Sequence, residues 1–250
     1  MSFTLPKPKE AETMAERYVE YEHEGVLLEG FFAWDEHRQG PRPGVLVSHA
    51  WAGRSDFECD KARALAGLGY CGFALDLYGK GVRGASADEN AKLIQPFLED
   101  RAMLQSRLAA ALETMRAQNE VDAARTAAIG FCFGGLCVLD LARSGSDVRG
   151  VVSLHGLFVP PPKPSGNRIS AKVLALHGHE DPMVPPDAVH ALETELTEAG
   201  ADWQIHVYGK TMHAFTNPQA NDPGFGTVYN ADADRRSWIT TRGFLEEALG

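Results

Sequence analysis

The chain has 250 residues, 44% of them hydrophobic and 23% charged, with a formal net charge of −10. The length suits one α/β domain over residues 1–250, and the ordinary composition excludes a disordered or fibrous chain. The acidic excess argues against nucleic acid as a partner, because phosphate binding needs a basic face.

Residues 1–20 are polar and of mixed charge, and residues 1–17 read as an N-terminal arm. They contain no apolar run of signal-peptide length. No stretch of the chain approaches a membrane span, so no membrane is expected and the cytoplasm is the expected location. Four cysteines, Cys59, Cys71, Cys132 and Cys137, include no C-x-x-C pair. A disulfide framework or zinc ribbon is therefore not expected.

Alternation over residues 18–24 and 26–32, separated by Gly25, predicts an antiparallel hairpin. Residues 44–49 form a short apolar run, and a helical pattern with Ala62, Leu65 and Ala66 on one face follows over 57–68. Residues 70–76 form a second run ending in Asp76. Leu104, Leu108, Leu112 and Met115 recur at helical spacing. A strand over 126–131 leads into a helix from about Gly134. Residues 151–155, 173–177 and 203–208 are three more strands, with Val189, Leu192 and Leu196 marking a helix before the last of them. An amphipathic helix through Trp238, Phe244 and Leu245 closes the chain. Residues 159–166, VPPPKPSG, read as a loop.

Apolar strands alternating with helices predict an α/β architecture, a mostly parallel sheet covered on both faces. Such sheets place their sites beyond the carboxyl ends of the strands. The residues there are His49, Asp76, Cys132, His155, His177 with Asp181, and His213. The histidines sit on separate strand ends without a paired spacing on one helix, so no metal site is predicted.

Residues 130–135 read GFCFGG between a strand and a helix. This is the G-x-nucleophile-x-G elbow with cysteine in the nucleophile position. Glycines flank the nucleophile because its backbone is strained and its neighbours approach closely. A thiol at a helix N-terminus is placed where the helix dipole favours thiolate. Cys59, Cys71 and Cys137 read as packing residues.

The candidate acid is Asp181, in the HGHEDPMVP stretch after strand 173–177, with Glu180 as its rival. The candidate base is His213, in YGKTMHAF after strand 203–208. The order Cys132, Asp181, His213 is the nucleophile–acid–base order of the α/β-hydrolase fold. It differs from the papain and chymotrypsin orders. In such a set His213 shuttles the proton of Cys132, and Asp181 fixes its tautomer. The expected oxyanion donors are the backbone N–H groups of Phe133 and Trp51. The loop carrying Tyr78 and Lys80 is expected to border the pocket, with Lys80 or Arg83 available to a substrate carboxylate.

These motifs, together with ALDLYGKG over residues 74–81, resemble the dienelactone hydrolase family from about Val19 to the C-terminus. The resemblance implies an α/β-hydrolase fold without a large cap domain and a Cys132–Asp181–His213 triad. It further implies hydrolysis of small esters or lactones, with no cofactor. Candidate substrate contacts are Tyr78, Lys80, Phe215 and Asn217. Two departures narrow the expectation. Founding members of the family carry a thiolate-assisting glutamate where this chain has Ala50, and two carboxylate-binding arginines where it has Lys80 and Asn217. A broad carboxylesterase on a small-molecule substrate, monomer or homodimer, is the resulting expectation. The same thiol would also serve acyl transfer or organophosphate hydrolysis, and an inactive binding protein is the remaining alternative.

Overall fold

The structure is a computed structural model and describes residues 14–162 and 166–250. Strands β1 (Met14–His23) and β2 (Val26–Asp35) form the expected hairpin, paired antiparallel throughout. They are followed by β3 (Arg42–Ser48), α1 (Asp56–Gly67), β4 (Cys71–Ala74), α2 (Ala87–Glu99), α3 (Arg101–Arg116) and β5 (Val121–Phe131). Then come α4 (Phe133–Arg143), β6 (Gly150–Leu154), β7 (Lys172–Gly178), α5 (Pro186–Glu198) and β8 (Trp203–Tyr208). A short hairpin, β9 (Asn221–Asp222) with β10 (Thr227–Val228), precedes α6 (Ala231–Leu249).

Among the described residues, eight strands make one sheet in the order β1-β2-β4-β3-β5-β6-β7-β8. β1 and β2 are antiparallel to their neighbours, and β4 through β8 pair in parallel. Successive residues of a strand point to opposite faces, and the core divides accordingly. Leu46, Ala128, Val151, Val173 and Ala175 pack into the layer under α3, α4 and α5. Val45, Val47, Ile129, Val152, Leu174 and Leu176 pack into the layer under α1 and α6. The continuous apolar runs follow from burial on both faces. Among the described residues, no inserted domain covers the strand ends.

The order places β4 on one side of β3 and β5 on the other. The loops after β3 and β5 therefore diverge at a switch point, where α/β sheets open a crevice. Ser55 and Glu58 close the N-terminus of α1 with a reciprocal capping box, which fixes the loop leaving β3.

Three expectations are corrected. Residues 14–17 belong to β1 and not to the arm: Arg17 bonds Glu120 at 2.8 Å and lies over the Phe32 and Trp34 rings. Residues 1–13 lie outside the described residues, as do 163–165 of the proline-rich stretch. Helix α2 was not anticipated, because it contains Pro96 and buries only Asn90 and Phe97. The hairpin β9–β10 lies in what read as a long loop, since two-residue strands leave no periodicity.

Candidate active site

Cys132 joins β5 to α4 with φ 56° and ψ −116°. A non-glycine residue there stores strain that its surroundings must hold. Its N–H is shared between the Leu154 carbonyl at 3.1 Å and the His155 Nδ1 at 3.1 Å. Its carbonyl accepts from the Gly135 N–H at 2.9 Å. The flanking glycines are steric necessities. A Cβ on Gly130 would lie 2.0 Å from the Gly134 carbonyl oxygen, and one on Gly134 would lie 2.2 Å from that of Ser48. The elbow is thereby pressed against the end of β3.

Asp181 and His213 meet across loops after β7 and β8. Asp181 Oδ2 lies 2.7 Å from His213 Nδ1, both side chains being buried. Asp181 Oδ1 accepts from the Met183 N–H at 2.9 Å, so the carboxylate is held at both oxygens. Glu180 points into solvent. The His213 backbone is clamped by the β9–β10 hairpin, donating to the Gly226 carbonyl and accepting from the Val228 N–H, each at 3.0 Å. His213 Nε2 is buried with no partner of full hydrogen-bond geometry, and Cys132 lies close enough to act on the ring. Burial opposes a charge on this ring. The Coulombic pull of Cys132 and the bond to Asp181 outweigh it, and the pKa is pushed up to about 10.

A second buried histidine, His155, stands between them. Its ring lies 5.2 Å from that of His213, edge to face, and its Nε2 is 2.8 Å from Thr216 Oγ1. Accepting from the Cys132 N–H assigns its proton to Nε2. Burial, and then the neighbouring His213 charge, hold its pKa well below the usual histidine range. His155 is thus a neutral brace for the elbow. Its position at the end of β6 was legible from the sequence, but its role was not. Of the non-glycine residues at positive φ, Cys132, His155 and Ala214 all line the same cavity.

That cavity measures about 760 Å³ and is bordered by Trp51, Cys132, Phe133, His155, His213 and Asn217 among others. Among the described residues, the backbone N–H groups of Trp51 and Phe133 engage no hydrogen-bond partner. Trp51 is fixed through its carbonyl, which accepts from the Tyr78 hydroxyl at 2.9 Å. Glu58 lies behind Ala50, accepting from the Ala50 N–H at 3.3 Å, the Ser55 N–H at 2.8 Å and the Ser55 hydroxyl at 2.6 Å. The S-x-x-E spacing was the available signal for this residue.

The remaining expected contacts are dispersed. Asn217 borders the cavity, whereas Tyr78, Lys80 and Phe215 do not. Tyr78 acts behind Trp51. Phe215 is fully buried against His155 and Tyr208, at 5.0 and 5.6 Å between ring centroids. The Lys80 ammonium pairs with Glu20 and, at 3.0 Å, with Glu29, which occupies its charge outside the cavity. Among the described residues, no group of three His, Cys, Asp or Glu side chains could hold a metal ion. No described helix is long and apolar enough to cross a membrane.

The switch-point crevice, the elbow after β5 and the paired Asp181 and His213 after β7 and β8 define an α/β-hydrolase. The chain belongs to the dienelactone hydrolase family, which it matches over residues 28–249. That membership makes it a hydrolase acting on ester bonds. It is 38% identical to the crystal structure of P91, a dienelactone hydrolase-like promiscuous phosphotriesterase from metagenomic libraries. The match covers 95% of this chain and 99% of that one, with a TM-score of 0.91. An uncharacterised protein of Caenorhabditis elegans is 38% identical over 149 residues, covering 58% of this chain and 94% of its own length. A Yersinia pestis protein provisionally named carboxymethylenebutenolidase is 26% identical over 226 residues, covering 86% of this chain and 82% of its own.

Proposed function

We propose that the protein hydrolyses small carboxylic esters or lactones through a thioester at Cys132. The observation that carries this reading is the buried Asp181–His213 pair at 2.7 Å, whose outer nitrogen is left over beside a strained cysteine. His213, its pKa raised by Cys132 and Asp181, holds the proton given up by Cys132 in a thiolate–imidazolium pair, and Asp181 stabilises that imidazolium. Sγ attacks the ester carbonyl, and the developing oxyanion takes the unengaged N–H groups of Phe133 and Trp51. The tetrahedral intermediate collapses, the C–O bond to the alcohol breaks, and His213 returns the proton to the leaving oxygen. Water, deprotonated by His213, attacks the thioester and releases the acid and free Cys132. Each step uses only this chain's groups and water. We infer further that residues 14–250 work as one catalytic unit, since all three side chains follow strands of one sheet.

The test is an ester and lactone panel with wild type and Cys132→Ala, with mass spectrometry of an acyl adduct. Activity lost in Cys132→Ala, with an adduct at Cys132 in wild type, is expected. A fully active Cys132→Ala would falsify the thiol mechanism.

A second reading is hydrolysis of phosphotriesters at the same thiol, favoured by the likeness to P91. Sγ would attack phosphorus, displacing an alkoxide or phenoxide that His213 protonates, and water deprotonated by His213 would then cleave the S–P bond, releasing the phosphodiester and free Cys132. A Cys132-dependent release of phenol from a phosphotriester supports it, and none in wild type excludes it.

A further inference from the structure

We infer that this site takes uncharged esters bearing an aromatic group and discriminates against carboxylate-bearing lactones. The inference rests on the thiol-hydrolase reading above and narrows its substrate.

The first observation is an aromatic wall at the mouth of the cavity. Phe225 occupies the turn between β9 and β10 and leaves 47% of its surface in water. It stacks on Trp51 with ring centroids 5.8 Å apart and planes inclined by 18°. Both residues border the cavity that holds Cys132. A large ring half-exposed on a turn gains by being covered, and a planar apolar group does so best.

The wall is held in register with the reactive centre from both sides. Gly226, the next residue to Phe225, accepts the His213 N–H at 3.0 Å. A Cβ at Gly226 would lie 2.2 Å from the ring of Pro182, the neighbour of Asp181. On the other side, Trp51 is tied by the Tyr78 hydroxyl. A ring resting on Phe225 and Trp51 is therefore placed at a fixed distance from Cys132 and the two free N–H groups. Phe57, Leu157 and Met183 continue the apolar lining inward.

The second observation is charge. Asp56, Glu58 and Asp60 border the cavity, Asp60 paired with Arg63 at 2.8 Å, and Arg83 is the only arginine or lysine among the described residues that borders it. Lys80 is committed to Glu20 and Glu29, and Arg54 to Glu29 at 3.1 Å. A carboxylate entering here meets net negative charge with no buried guanidinium to receive it, and low-dielectric walls intensify that field. An uncharged ester meets no such opposition.

The experiment uses 4-carboxyphenyl acetate and its methyl ester, which differ in charge while keeping the reacting bond, with trifluoroethyl acetate as the alkyl comparison. Expected for wild type is a kcat/KM roughly tenfold higher for the uncharged aryl ester than for the carboxylate, the ratio shrinking with added salt. Phe225→Ala is expected to lower kcat/KM for the uncharged aryl ester more than for the alkyl ester, by roughly a further fivefold to tenfold, with Phe225→Leu intermediate. Equal use of the two aryl acetates, or equal losses on aryl and alkyl esters in a folded Phe225→Ala, overturns the inference. Hydrolysis that survives in Cys132→Ala is a different outcome and overturns the thiol reading instead.

Discussion

Replacing Gly134 with alanine tests whether the elbow is pinned by backbone contact. The new Cβ would lie 2.2 Å from the Ser48 carbonyl oxygen, 2.6 Å from the Ser48 carbonyl carbon and 2.7 Å from the His49 carbonyl oxygen. The first contact is about 0.8 Å inside the 3.0 Å that real Cβ atoms respect. None of these atoms belongs to a side chain that could rotate away. The start of α4 must lift from the end of β3, carrying Cys132 and the Phe133 N–H with it. Overpacking of this kind costs about 1–3 kcal/mol. For a chain of this size that corresponds to a Tm lower by roughly 2–12 °C. A displacement near 1 Å at the reacting atoms costs on the order of 100-fold in rate. Thermal melts and kcat/KM on an uncharged ester check both figures. Gly243→Ala is the control: it lies inside α6 with nothing within 4 Å of the added carbon, so it should stabilise by up to about 1 kcal/mol. A Gly134→Ala protein that melts and turns over like wild type would refute the claim that backbone contact with Ser48 sets the elbow.

Asp181→Asn should lower kcat by roughly 10⁴-fold, because the ring of His213 loses both its orienting acceptor and its counter-charge. Glu180→Gln, changed at an exposed carboxylate one residue away, should leave the rate unchanged; equal loss in the two variants would sink the assignment. Stability should also carry the signature of His213. Its native pKa, about 10, is above the ordinary value of 6.5. The unfolded chain therefore binds fewer protons between these values, and the contribution is complete below about pH 6.5 and lost as pH rises through about 10. Urea unfolding of wild type against His213→Gln should show a gap that narrows from pH 6 to pH 10, and a constant gap would contradict the raised pKa.

The sequence determined the local devices of this protein, because each depends on residues a few positions apart. GFCFGG marks a tight strand-to-helix turn, buried strands read as unbroken apolar runs, and the chain order of Cys132, Asp181 and His213 matches one fold. Tertiary structure alone decided what depends on distant partners. Lys80 was open to a substrate carboxylate until the fold brought Glu20, sixty residues away in the chain, against it. His155 was one more strand-end side chain until burial made it neutral and the Cys132 N–H took its Nδ1. Phe225 lay in featureless loop until two short strands bonded to His213 turned it toward Trp51. A nucleophile elbow can be read locally because its glycines answer to neighbours in the chain. A substrate wall cannot, because its parts come from the ends of different strands and only the packed sheet brings them together.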